Sequence, residues 1–270
     1  MKTTNANLNR WIVQPKPNPQ AALRMFCFPF AGGSAQNFRT WHESLPANIE
    51  VCPVQLPGRE TRMREEPFSS VVPMTDALAS AIRSYLDKPF VLFGHSMGAI
   101  IAFELARKLR RDHNILPECL IVSARIAPHV PIPRPPINKL PQEQFVEGLK
   151  RLDGTPKEVL EDKGLMKLIM PLLRADLAVH EEYAYTPEPP LKCDILAFGG
   201  LHDPEASREG VAGWRNHTEG KFLSRMVPGG HFYIQAAQSL FLRLLSSELY
   251  QVIRNIKRAE PVTEEVAIQA

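Results

Sequence analysis

Residues 90–109 read FVLFGHSMGAIIAFELARKL, a strand-like run that passes into a helical pattern through a serine. Phe90, Val91, Leu92 and Phe93 form a short apolar run without polar alternation, the pattern of a strand buried on both faces. From Met97 onward apolar residues recur at helical spacing until a basic end, which suits the negative pole of a helix dipole. Ser96 therefore sits at the seam between strand and helix, with Gly94 and Gly98 two positions away on either side. So sharp a turn strains the serine backbone and presents its hydroxyl, and the glycines leave room where side chains would collide. The helix N-terminus also favours negative charge developing beside the hydroxyl. The bland alternative is a serine that merely caps the helix. The strand–turn–helix context favours a nucleophile.

Further apolar runs bounded by turn signals lie at LRMFCF (23–28), IEVCPVQL (49–56), CLIVSA (119–124), CDILAFGG (193–200) and FLSRMV (222–227). Their continuous hydrophobicity predicts strands buried on both faces, and helical patterns lie between them. PMTDALASAIRSYLDK predicts one helix, with Thr75 as its candidate cap. Strand–helix alternation predicts an α/β fold of doubly wound type: a mostly parallel central sheet flanked by helices. Residues 142–185 break the alternation and predict two or three helices with no strand between. Six prolines between 128 and 141 and three in TPEPP (186–190) bracket this segment like hinges. The expected division is a core of residues 1–127 and 186–257, a helical lid at 128–185 placed above the sheet, and a disordered tail at 258–270.

A serine hydroxyl needs a base within hydrogen-bond reach, itself oriented by an acid. In this topology catalytic groups come from loops at the carboxyl ends of strands. His217 precedes its strand, His113 faces the opposite rim, His180 belongs to the inserted helices, and His42 lies in an early segment before the serine. His95 is locked in the turn beside Ser96, pointing elsewhere. His231, in VPGGHFYI directly after the strand FLSRMV, is the expected base, because two glycines free the backbone to swing the imidazole across. The acid follows from the same rule. Asp203 is the first acid past the strand CDILAFGG, Asp194 stands at the wrong rim, and Glu205 is the fallback. His202, next to Asp203, cannot easily be oriented by it. The chain order Ser96, Asp203, His231 is that of an α/β-hydrolase.

Acyl chemistry also needs donors for an oxyanion. One is the backbone N–H of Met97, after the nucleophile. The second is expected from FCFPFAGGSAQNF, with Ala31 first and Gly32 next. A phosphate-binding loop is disfavoured there, since the Lys-Ser/Thr that completes one is missing.

Composition narrows the classes. The chain has 270 residues and a net charge of only +3, which gives no concentrated basic face for nucleic acid. No apolar run is long enough to span a bilayer, and the N-terminus carries no signal-peptide segment, so a cytoplasmic monomer is expected. Cys27, Cys52, Cys119 and Cys193 lie far apart in or beside strand-like runs and read as buried free thiols. No metal-ligand spacing occurs, and neither metal nor cofactor is expected.

FPFAGGSA, VQLPGRE, FGHSMGA, GGLHDP and PGGHFYI, in this order, together resemble the stand-alone type II thioesterases of nonribosomal peptide and polyketide synthases. The medium-chain thioesterase of animal fatty acid synthesis is similar too. The resemblance spans residues 23–250. It implies that Ser96, Asp203 and His231 match the family triad, that Ala31 and Met97 match its oxyanion hole, and that a helical lid covers a pantetheine and acyl channel. The implied activity is hydrolysis of acyl groups from the phosphopantetheine arm of acyl or peptidyl carrier proteins, removing aberrant units.

A general carboxylesterase, or a medium-chain acyl-carrier thioesterase of fatty acid synthesis, would use the same residues. A cyclising thioesterase or acyltransferase is usually fused to a synthase, whereas this chain starts with its own Met1. A carrier-type protein, suggested by GHSM, is a helical bundle and lacks a buried strand before its serine. An inactive interaction module would lack one of the three residues. Lys150, Arg151, Lys157, Lys163 and Lys167 offer a surface that steers an acidic carrier protein. Interspersed Glu158, Glu161 and Asp162 favour a plain solvated face instead.

Overall fold

A computed structural model describes residues 10–259. Among the described residues six strands form one sheet: β1 (Leu23–Phe28), β2 (Ile49–Pro53), β3 (Phe90–His95), β4 (Cys119–Ser123), β5 (Asp194–Gly200) and β6 (Phe222–Val227), in the order β2-β1-β3-β4-β5-β6. All five pairings are parallel. The helices are α1 (Val71–Ile82), α2 (Met97–His113), α3 (Gln142–Leu152), α4 (Lys157–Glu161), α5 (Lys163–Glu181), α6 (Arg208–Ala212), α7 (Tyr233–Ala236) and α8 (Gln238–Ala259). This is the α/β-hydrolase architecture.

The sheet is covered on both faces, which is why its strands read as continuous apolar runs. On one face α1 and α2 bury Leu78, Ile82, Ile100, Ile101 and Leu105 against Phe26, Leu92 and Leu120. On the other, α8 brings Phe241, Leu245 and Leu249 against Val91, Phe93 and Phe198. There Trp41 and Phe93 stack edge to face at 5.1 Å, and Phe198 and Phe241 do the same at 5.1 Å. Each such fully buried side chain contributes roughly 1.5–3 kcal/mol of transfer free energy.

β6 departs from the expected two-sided burial. It is one of the two edge strands, and Leu223, Ser224 and Arg225 are exposed, whereas β2 at the other edge is buried throughout. Thr75 does not cap a helix. Ser70 holds that position without a side-chain bond, while Thr75 lies inside α1, buried, its hydroxyl donating to Val72 O at 3.0 Å. α8 runs through Arg258 to Ala259, where the disordered tail was expected to begin; the rest of that stretch, residues 260–270, lies outside the described residues. Three helices, α3 to α5, occupy the stretch between β4 and β5. Pro171 stays inside α5, which starts on Asp162, whose carboxylate accepts the N–H groups of Gly164 and Leu165 at 2.7 and 3.0 Å.

Strand order reverses between β1 and β3, whose carboxyl ends lie side by side with Phe28 opposite Gly94. Such a switch point opens a crevice beyond the strand ends. Ser96 and the loop holding Ala31 both emerge there.

Candidate active site

Ser96 occupies the turn between β3 and α2 with φ 54° and ψ −114°, a conformation that side chains other than glycine rarely hold. The surroundings enforce it. The Ser96 N–H donates to Ser123 O at 2.8 Å, tying the turn to the end of β4, and the Ala99 N–H donates to Ser96 O at 3.0 Å. The flanking glycines let the turn close, for a Cβ on Gly94 would lie 2.0 Å from Gly98 O.

The structure brings Ser96, His231 and Asp203 into one hydrogen-bonded row. His231 Nε2 is 2.9 Å from Ser96 Oγ, and His231 Nδ1 is 2.9 Å from Asp203 Oδ2. The other carboxylate oxygen accepts the N–H groups of Glu205 and Ala206 at 2.8 and 3.2 Å. Asp203 has no exposed side-chain surface, so its position is over-determined. An ionised Asp203 fixes the imidazole proton on Nδ1 and leaves Nε2 as the acceptor facing the hydroxyl. Backbone bonds from Leu201 N–H to Val227 O and from His202 N–H to Gly229 O, each 2.9 Å, hold the loops after β5 and β6 together.

The remaining candidates fall elsewhere. Glu205 is engaged by Arg134 at 2.8 Å. His95 is fully buried behind the seryl turn, its Nδ1 2.8 Å from Ser123 Oγ and its ring centroid 5.5 Å from that of His231. Burial first, then the neighbouring His231, hold His95 well below the ordinary imidazole range. A neutral ring therefore underlies His231 and adds no competing charge. His217 bonds to His129 at 2.7 Å, and burial lowers it to about 4. His180, on α5, accepts from the buried Arg125 guanidinium at 2.8 Å.

Met97 is the first residue of α2, so its N–H has no carbonyl of its own helix to bond. Of the two candidates after β1, Gly32 already donates its N–H to Asp176 Oδ2 at 2.8 Å. Ala31 is the one left. Asp176 and its partner Arg59 were given no role from the sequence, although Arg59 stands in VQLPGRE and Asp176 is the one carboxylate in the mostly apolar stretch LLRADLAV.

The thioesterase domain family matches residues 23–249. Linear gramicidin dehydrogenase LgrE of Brevibacillus parabrevis is 40% identical over 252 residues, 92% of this chain and 96% of that protein. Gramicidin S biosynthesis protein GrsT of Aneurinibacillus migulanus is 39% identical over 248 residues, covering 92% and 97%. Among solved structures, the RedJ thioesterase from the prodiginine biosynthetic pathway in Streptomyces coelicolor matches with a TM-score of 0.79 at 38% identity, covering 87% of this chain and 90% of that one. The type II thioesterase BorB from the borrelidin biosynthetic cluster matches with the same TM-score, 0.79, at 33% identity, over 89% and 97%. The first relative carries a dehydrogenase name, yet the family match and the fold lead to acyl chemistry. A match of this extent means that the chain belongs to the thioesterase family, alongside its type II members, and is a thioester hydrolase.

Proposed function

We propose that this enzyme hydrolyses acyl groups from the phosphopantetheine arm of acyl or peptidyl carrier proteins, clearing aberrant units in natural-product biosynthesis. The observation that carries the mechanism is the row Asp203–His231–Ser96, with both contacts at 2.9 Å. His231 Nε2 takes the Ser96 proton as Oγ attacks the thioester carbonyl, and Asp203 stabilises the imidazolium that forms. The N–H groups of Met97 and Ala31 receive the oxyanion. Collapse of the tetrahedral adduct breaks the C–S bond, and the pantetheine sulfur departs, protonated by His231. A water then gives its proton to His231 as it attacks the acyl-serine carbonyl; collapse breaks the Oγ–acyl bond, His231 returns the proton to Ser96 Oγ, and the free acid leaves.

Residues 128–185 serve as a lid in this reading. Ile137, Phe145, Leu149, Met166, Leu173 and Leu177 give this segment an apolar cluster of its own; it opens with the proline-rich stretch 128–141 and is followed by TPEPP at 186–190. A monomer in the cytoplasm belongs to the same proposal, supported by four buried free thiols that suit a reducing compartment. Electrostatic steering by the lid gains little support: Lys150 pairs with Glu147 at 2.5 Å and Lys157 with Glu161 at 3.6 Å on the surface.

The test is a panel of acyl-carrier proteins incubated with the parent enzyme and with Ser96→Ala. Free acid released by the parent and not by the variant is expected. Faster turnover of simple aryl esters than of every carrier-bound thioester would instead make the protein a general carboxylesterase.

A further inference from the structure

We propose that Asp176 and Arg59 are positioning residues for the oxyanion hole, so that α5 of the helical insertion holds the loop that stabilises the transition state. The inference rests on the proposed roles of Ser96 and Ala31.

The loop 31–33 leaves the end of β1 and belongs to no regular element. Its internal tie is the Gly33 N–H to Phe30 O bond at 2.8 Å. The next fixed points come from elsewhere. Asp176 on α5 is completely buried, and its Oδ2 accepts the Gly32 N–H at 2.8 Å. The same oxygen accepts Arg59 Nη1 at 2.9 Å, while Oδ1 accepts Arg59 Nη2 at 2.7 Å. Arg59 Nη1 also reaches Gly33 O at 2.7 Å, and its Nε reaches Pro57 O at 3.2 Å. One buried fork thus grips the loop by a donor and an acceptor on successive residues.

Steric fit binds the same parts. Gly32 has φ +76°, and a Cβ there would lie 2.7 Å from Leu173 Cδ2 on α5. Ala31 packs against the insertion's apolar cluster as well as the core. The peptide that orients the Ala31 N–H is therefore clamped between the sheet and the insertion.

A buried ion pair is a poor way to gain stability, because desolvation offsets most of the Coulomb attraction. A planar fork on a carboxylate is a good way to fix geometry. Oxyanion donors act only when aimed where charge develops, and displacement by about 1 Å can cost on the order of a hundredfold in rate. The pair sits where such an aim is needed: 117 residues separate its members, and the loop they share lies beside Ser96.

The test compares the parent, Ser96→Ala, Asp176→Asn and Arg59→Lys on one acyl-carrier-protein thioester. Asn keeps an acceptor for Gly32 but loses the charge, and Lys keeps the charge but loses the fork. For each folded variant three quantities are measured: kcat, the inhibition constant of an alkyl boronic acid that forms a tetrahedral adduct with serine, and the Kd for uncleaved substrate on a Ser96→Ala background. Both variants are expected to lose at least about tenfold in kcat and to weaken the boronate by the same factor, with Kd moving less than about twofold. A merely structural role would leave boronate and substrate affinity moving together, and that result overturns the inference. If Asp176→Asn fails to fold, Arg59→Lys decides by the same comparison. An inert Ser96→Ala beside fully active Asp176→Asn and Arg59→Lys overturns this inference alone. Full turnover by Ser96→Ala overturns the proposed function, and this inference with it.

Discussion

Gly98, in the first turn of α2, lies against the carbonyl of Phe28, the last residue of β1: a Cβ built on Gly98 would fall 2.1 Å from that oxygen. The contact lets the helix after the serine start directly over the sheet, and it involves backbone that cannot swing aside. Gly98→Ala must therefore push α2 away from β1 and with it Ser96 from His231. We expect a loss of about 3 kcal/mol in stability, at the upper end for overpacking, together with loss of thioester turnover. Urea titration and kcat on the same preparation check this. A variant as stable and active as the parent would show that the close approach is dispensable.

Asp203→Asn tests the orientation of the imidazole. The amide keeps an oxygen for the N–H groups of Glu205 and Ala206, so packing survives. Its NH₂ then faces His231 Nδ1 and drives the ring proton to Nε2, where it blocks acceptance from Ser96. A fall in kcat of about 10³–10⁴ is expected, with the unfolding free energy from urea titration within about 1 kcal/mol of the parent. Near-normal turnover would assign the orienting role to another residue, Glu205 first.

Acidification should weaken the fold through His95, His180 and His217, all lowered chiefly by burial. Their folded values lie below the ordinary 6.5, so between these limits the unfolded chain binds more protons. Stability is thus fully present above about pH 7 and is lost as pH falls below 6.5, for His217 continuing down to about 4. Each such histidine adds up to about 1.4 kcal/mol per pH unit. Denaturant midpoints at pH 7 and pH 5 read the effect, and His217→Gln should flatten the dependence by about one proton. An unchanged slope in that variant would remove His217 from the explanation.

Arg134 links three parts of the chain. Its guanidinium meets Glu181 at 2.5 Å and Glu205 at 2.8 Å, and Glu181, with no exposed side-chain surface, also accepts the N–H groups of Ile137 and Asn138 at 2.8 and 2.9 Å. Removing the cation leaves Glu181 buried and uncompensated. Arg134→Ala should lower stability by about 3 kcal/mol, while Arg134→Ala combined with Glu181→Gln should recover part of it. Thermal unfolding of both proteins decides; equal losses in the two would mean that Arg134 acts through packing alone.

The sheet was legible in the pattern of apolar runs. A strand covered on both faces is predominantly apolar, so all six strands were legible as runs even though β1 and β2 carry the buried pair Arg24–Glu50; β6 misled only about burial, because Leu223, Ser224 and Arg225 are left uncovered while β2 at the other edge is not. The seryl turn was equally legible, since its glycines and its strand–helix context are local, and the rule that catalytic groups follow strand ends pointed to Asp203 and His231, which the fold places in one hydrogen-bonded row with Ser96. α8 was not among the expected elements, although Phe241, Leu245 and Leu249 recur at helical spacing: no strand follows it to complete the alternation. What tertiary structure alone decided is pairing across long separations. Which of Ala31 and Gly32 has its N–H free depends on Asp176, far along the chain on α5, and which histidines stay neutral depends on what buries them. Hydrogen bonds and desolvation are set by neighbours in space, and periodicity along a chain does not encode them.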